Sequence, residues 1–294
     1  MEWILFALGA AIIFAITNIV DKIYLSKLKL KPHTLSFIMA LMAVVPLIII
    51  PIFVPIDFVT PWIYVAVFVG LIRLGVSLFY SKTINSDETS RAAPLIETNP
   101  IFVVIFAFLF LGENLSIQNY LGIFAIVVGA IILSIKSIRK FNFRSCTKYA
   151  LVCAILYAIE IIFVKYLSQY MNFWSVYFWI IFGLLIFSPL LLLKRGIFSN
   201  FKSFLTNKKR FVGTYIVNDM LGSLGVVLSF GAIAMSSASL GSALLGTRPL
   251  FILILATAIT LFFPNILKED IGKKNLLMKA VGIFLIILGT VFVV

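Results

Sequence analysis

"TNPIFVVIFAFLFL", residues 98–111, sets a proline two positions after its start and follows it with an unbroken apolar run. A closed β-barrel is one of two folds that can span a bilayer, and its strands must alternate apolar and polar residues. The run from Ile101 to Leu111 does not alternate. The segment therefore reads as a membrane helix. Pro100 has no N–H for a helical hydrogen bond, and the residue before a proline is pushed out of helical geometry. The helix is expected to break near its start, a few residues after Glu97. A second stretch, "TRPLFILILATAIT" at residues 247–260, keeps the threonine and the proline but has Arg248 in place of Asn99. The same break is expected at Pro249.

The rest of the chain agrees with a bilayer environment. It is 62% hydrophobic and 12% charged, against roughly 45–50% and 25% for soluble domains. Ten apolar runs approach the twenty or so residues that cross a membrane as a helix: 3–21, 34–54, 61–81, 91–111, 118–135, 148–167, 173–193, 211–234, 238–262 and 276–294. The expected fold class is all-α integral membrane with ten transmembrane helices. The net charge of +13 follows the loops rather than a nucleic-acid surface, because 21 of the 24 Lys and Arg lie in or beside the loops after spans 1, 3, 5, 7 and 9. By the positive-inside rule those loops are cytoplasmic and both termini outside. No basic n-region or cleavage site accompanies Met1-Glu2-Trp3, so no cleavable signal is expected. Cys146 and Cys153, roughly 10 Å apart along one helix, are too distant for a disulfide.

The chain also repeats itself. A shift of 143 lays "FAITNIVDK" (14–22) on "YAIEIIFVK" (157–165), pairing Ala15 with Ala158 and Lys22 with Lys165. "LGVSLFY" (74–80) matches "LGVVLSF" (224–230) at a shift of 150, and the two proline segments match at 149. "LGIFAIVVG" (121–129) matches "VGIFLIILG" (281–289) at 160, after an inserted "FPNILKEDIGK". The expected organisation is a first five-helix repeat at 1–135, a basic linker at 136–147 and a second five-helix repeat at 148–294. Five spans per half give the halves opposite orientations. Inverted repeats of this kind build alternating access around a site near the bilayer midplane.

The whole length resembles the EamA-type branch of the drug/metabolite transporter superfamily. The resemblance rests on the five-plus-five arrangement and on "AAPLIETNPIFVVIFAFLFLGENLSIQNYLGIFAIVVGAIIL" (92–133), with small residues, a mid-helix proline, Gly-Glu-x-Leu and a glycine-spaced last helix. Glu113 matches the family glutamate after the fourth span. The second half keeps Pro249 and the Gly282/Gly289 spacing but has "LFFPNIL" in place of Gly-Glu-x-Leu. The resemblance implies a transporter whose spans 3, 4, 6, 8 and 9 line a central cavity; its characterised ten-helix members usually have cytoplasmic termini, the reverse of the loop charge here.

Ionisable groups inside a membrane cost about 2.5–3.5 kcal/mol each on insertion scales, so they mark function or pairing. Five lie well inside the spans: Arg73, Glu97, Glu160, Asp219 and Arg248, a group of net −1. Arg73 and Arg248 are candidates to hold the anionic end of a substrate through paired hydrogen bonds and Asp219 or Glu97 its cationic end; alternatively the arginines are permanent partners of Asp219 and Glu97. Glu97 and Arg248 are expected to meet near the axis relating the repeats. Tyr80, Asn99, Tyr157 and Asn218 are candidate polar contacts to substrate, with helix packing as their alternative. Glu160, with Thr17 as its repeat counterpart, loosely resembles the proton-exchanging glutamate of the superfamily's four-helix exporters and is the candidate proton carrier. Gly122/Gly129 and Gly282/Gly289 each mark one helix face for close contact, within one chain or between two.

No HExxH, Walker A, GxSxG or His/Cys cluster occurs, so neither an enzyme nor a metal or other cofactor is expected. The function expected is secondary transport of a small polar metabolite, an amino acid or similar zwitterion, by a proton-coupled multi-pass protein of the cell membrane. The alternatives are an organophosphate or nucleotide-sugar antiporter, and a lipid flippase or non-transporting scaffold. Expected partners are the small-molecule substrate and membrane lipids, with no nucleic acid, in a monomer or homodimer.

Overall fold

The computed structural model describes residues 2–26, 28–86, 95–134, 146–207, 209–262 and 273–294. Arg91, the basic linker from Lys136 to Arg144, Lys208 and most of the inserted 263–273 stretch lie outside them. Every regular element among the described residues is helical. In order they are α1 (Glu2–Ser26), α2 (Pro32–Met42), α3 (Val44–Phe53), α4 (Trp62–Ser86), α5 (Asn99–Phe106), α6 (Ile117–Ser134), α7 (Cys146–Leu167), α8 (Phe173–Phe187), α9 (Ile197–Asn207), α10 (Lys209–Met235), α11 (Ala238–Leu245), α12 (Arg248–Phe262) and α13 (Lys273–Val293).

Seven helical stretches are long and apolar enough to cross a membrane: Glu2–Ser26, Pro32–Phe53, Trp62–Ser86, Thr147–Leu167, Phe173–Leu193, Phe211–Met235 and Ala238–Ile259. Three more, Asn99–Leu111, Ile117–Leu133 and Ala280–Val293, are apolar but shorter. In the run expected from residue 91, Leu95 and Ile96 are helical, the chain turns at Glu97–Thr98 ahead of Pro100, and helix resumes at Asn99. Prolines account for other breaks. Pro46 cannot donate to Met42, and the helix is interrupted at Ala43 between α2 and α3. Pro189 marks the change from α8 to a tighter turn over Ser188–Leu193.

Packing crosses the chain midpoint. The helix α4 lies against α7 and α8, α1 lies against α10 and α12, and α5 lies against α7. The helices α6 and α13 meet through glycines. A Cβ on Gly122 would stand 2.8 Å from the Gly289 carbonyl oxygen, and one on Gly129 would stand 2.7 Å from that of Gly282. Only glycine admits backbones this close. The glycine faces therefore pack on each other within one chain.

Two lysines cap helices across the fold. Lys22 on α1 donates to the Ile84 carbonyl at the end of α4, at 2.7 Å. Lys165 on α7 donates to the Ala234 carbonyl at 3.1 Å and to that of Ser236, at the end of α10. A cation there satisfies carbonyls left without helical donors.

Candidate functional site

A cavity of ≈ 160 Å³ lies where α1, α2, α4, α7, α8, α10 and the start of α12 converge. At about 10–15 Å³ per water it holds on the order of ten waters, or a small solute. Arg73, Ser77 and Tyr80 reach it from α4, Tyr157 and Cys153 from α7, Asn218 and Asp219 from α10, and Arg248 from α12. Phe14, Thr17 and Asp21 complete it from α1.

Arg73 is paired with Glu160, not with Asp219: its Nη1 donates to both carboxylate oxygens at 3.3 Å. The arginine is 19% exposed while the glutamate side chain is fully buried. Glu160 therefore sits behind Arg73 and does not line the cavity, and Arg73 also lies over the Phe230 ring at 5.9 Å. This places the candidate proton carrier in contact with a candidate anion-binding group, an arrangement the sequence did not suggest.

Glu97 and Arg248 form a buried ion pair through Oε1 and Nη2. The geometry follows from the two helix breaks. Glu97 and Thr98 turn before α5, Gly246 and Thr247 turn before α12, and the turns bring the side chains together. Arg248 lines the cavity, with its guanidinium 5.4 Å from the Phe14 ring centre, and its Nε has no hydrogen-bond partner. Glu97 lies behind it, and so does Asn99, which is buried and donates from Nδ2 to the Ile96 carbonyl at 3.3 Å.

A third polar group centres on Asp21, which is not among the residues expected from the sequence. Asp21 is buried, and its Oδ2 accepts from the Tyr80 hydroxyl at 2.8 Å while Oδ1 accepts from Asn218 Nδ2 at 3.0 Å. The Tyr80 hydroxyl also contacts Asn18 Oδ1. Asp219, one position on, faces the cavity without a hydrogen bond or ion pair among the described residues. A signal for Asp21 did exist: it sits one residue before Lys22 in the repeated "FAITNIVDK" segment.

Glu113 is outside the cavity and closes a helix. Its carboxylate accepts from the Ala238 backbone N–H at 2.7 Å, from that of Ser239 at 3.2 Å and from the Ser239 hydroxyl at 2.7 Å. Gly112 ahead of it adopts a left-handed backbone, φ 65°, which glycine tolerates best. The carboxylate thus supplements Ser237, the N-cap residue of α11, whose hydroxyl accepts from the Leu240 N–H at 3.1 Å. Beside the cavity, an apolar cleft between α3 and α10 is lined by Ile49, Trp174, Met220 and Leu224, and shares Pro46, Tyr177 and Ser223 with it.

Among the described residues no cluster of His, Cys, Asp and Glu is arranged to hold a metal ion. The fold and site define a multi-pass helical membrane protein that encloses a polar, charge-paired cavity. Residues 1–135 match the EamA-like transporter family. A curated relative from a Sinorhizobium species, described as an "uncharacterized transporter in cobO 3'region", is 35% identical over 74 residues, 25% of this chain and 52% of that protein. The chain spans about half the length of that relative. A solved crystal structure superposes with a TM-score of 0.70 over 99% of this chain and 98% of the other, at 15% identity, which shows a shared fold. The first 135 residues are thus similar to EamA-like transporters, and the whole chain shares its fold with the solved structure.

Proposed function

We propose that the protein is a secondary transporter that moves a small polar metabolite through the central cavity by alternating access between two inverted five-helix repeats. The observation that carries this reading is a cavity lined from both halves of the chain by buried charged and polar groups. Several repeat-related contacts support the inverted arrangement. Lys22 and Lys165 correspond at the shift of 143, and their acceptors Ile84 and Ala234 correspond at the shift of 150. The glycine contacts are exchanged as a two-fold axis requires: Gly122 meets Gly289 and Gly129 meets Gly282. The packing of α4 on α7 has its counterpart in α10 on α1.

An organophosphate or nucleotide-sugar antiporter would need free cations in the cavity. Both arginines lining it are held by glutamates. A zwitterionic solute fits the mixture of signs better. Proton coupling through Glu160 requires the Arg73–Glu160 pair to separate when the carboxylate takes up its proton. A second reading, movement of an amphipathic lipid, draws on the apolar cleft that adjoins the cavity.

The test is flux into liposomes containing the purified protein, with and without a pH gradient. Counterflow of a labelled amino acid that responds to the gradient, and loses that response in Glu160→Gln, agrees with the proposal. An unchanged response in the variant removes the coupling role. Lipid scrambling without solute flux favours the second reading.

A further inference from the structure

The two arginines and two of the four carboxylates around the cavity cancel in pairs, Arg73 with Glu160 and Arg248 with Glu97. Asp21 and Asp219 remain. Neither forms a close ion pair among the described residues, although the Arg73 guanidinium acts on Asp219 across the cavity that both aspartates line. Asp21 already accepts hydrogen bonds from Tyr80 and Asn218, so its oxygens are partly satisfied. Asp219 accepts none, although its residue is only 9% exposed. Next to it Asn218 spends its Nδ2 donor on Asp21 and leaves Oδ1 buried with no partner. Behind them Asn18, which contacts Tyr80 through Oδ1, leaves its Nδ2 donor without a partner, but the open valences of Asp219 and Asn218 are acceptors.

A buried acceptor without a donor costs about 1–3 kcal/mol, and an unpaired charge costs more. A ligand that supplies N–H donors and a positive charge relieves both. We propose that Asp219, with Asp21 and the Asn218 carbonyl oxygen, forms the binding site for a protonated amine, and that an amino group is the obligatory feature of the transported solute. The proposal rests on the reading of the cavity as the substrate site and narrows its substrate class. Phe14 and Tyr177 border the same cavity and present aromatic surface to a cation. An anionic group on the solute is accommodated only where it competes with Glu160 or Glu97 for an arginine. It is thus dispensable for binding.

Calorimetric titration of the full-length protein in detergent tests this with three solutes on one carbon skeleton: a primary amine, the matching α-amino acid and the matching carboxylic acid. The amine and the amino acid bind, and the acid does not. Asp219→Asn weakens amine binding by at least about thirtyfold, the scale for removing one partner of a buried charge pair, and Asp21→Asn weakens it independently. Binding of the acid as tight as that of the amine overturns the proposal, as does no amine binding at millimolar concentration. Wild-type amine affinity in both variants overturns it too. The amine-over-acid preference is read on the unmodified protein, so it decides the matter even if a variant does not fold. Amine binding without flux in liposomes leaves this site standing and removes the transport reading instead.

Discussion

The Glu97–Arg248 pair ties the turn before α5 to the first residue of α12, and its energetics follow from where each partner sits. Glu97 is 1% exposed, whereas Arg248 is 8% exposed, borders the cavity and faces the Phe14 ring. Removing one member of a buried pair strands the other charge and costs about 3–5 kcal/mol, while replacing both with neutral groups is often near neutral. Glu97→Gln strands an arginine that still has an aromatic face and cavity water, so the loss is expected near 3 kcal/mol. Arg248→Met strands a carboxylate away from the cavity, so the loss is expected near 5 kcal/mol. The double variant Glu97→Gln/Arg248→Met is expected within about 1 kcal/mol of wild type. Reversible unfolding in mixed micelles, followed by tryptophan fluorescence, measures all four corners of the cycle. From these losses the expected interaction energy is about 7 kcal/mol. A double variant that loses the sum of the two single losses refutes the argument, because the two charges would then not be compensating each other.

Other contacts give sharper single tests. Gly129→Val drives a Cβ into the space 2.7 Å from the Gly282 carbonyl oxygen; α6 and α13 must separate, and a loss of about 3 kcal/mol is expected in the same unfolding assay. Lys165→Met leaves the Ala234 and Ser236 carbonyls unpaired, with an expected loss of about 1–3 kcal/mol, and Lys22→Met is expected to lower the thermal midpoint similarly through Ile84. Glu113→Ala removes the carboxylate from the first turn of α11 while the Ser237 cap stays, and is expected to cost about 1 kcal/mol, with Glu113→Gln retaining part of it.

Much of the fold is legible in the sequence because a bilayer admits few solutions. Continuous apolar runs and the prolines at 46, 100, 189 and 249 mark helices and their interruptions. The meeting of Glu97 and Arg248 is legible as well, since the repeat puts opposite charges beside equivalent breaks. The partner of Arg73 is not. Glu160 lies on α7, which packs directly on α4, whereas Asp219 lies on α10, which packs mainly on α1, and this choice of neighbours is set by tertiary packing. Asp21 was overlooked because the apolar run of the first span ends there, yet the helix continues to Ser26 and carries the aspartate into the cavity wall. The caps made by Glu113, Lys22 and Lys165 depend on helix ends brought close by tertiary packing, which no local pattern encodes.

The central claim is that the cavity opens to each side of the membrane in turn. Ser77 borders it from the middle of α4, so Ser77→Cys, on a background with Cys146 and Cys153 replaced by alanine, reports its accessibility. Labelling with a membrane-impermeant maleimide in sealed right-side-out and inside-out vesicles is the direct measurement. Reaction from both sides, slowed in each case by a bound primary amine, is the result predicted. Reaction confined to one side under every condition would contradict alternating access through this cavity.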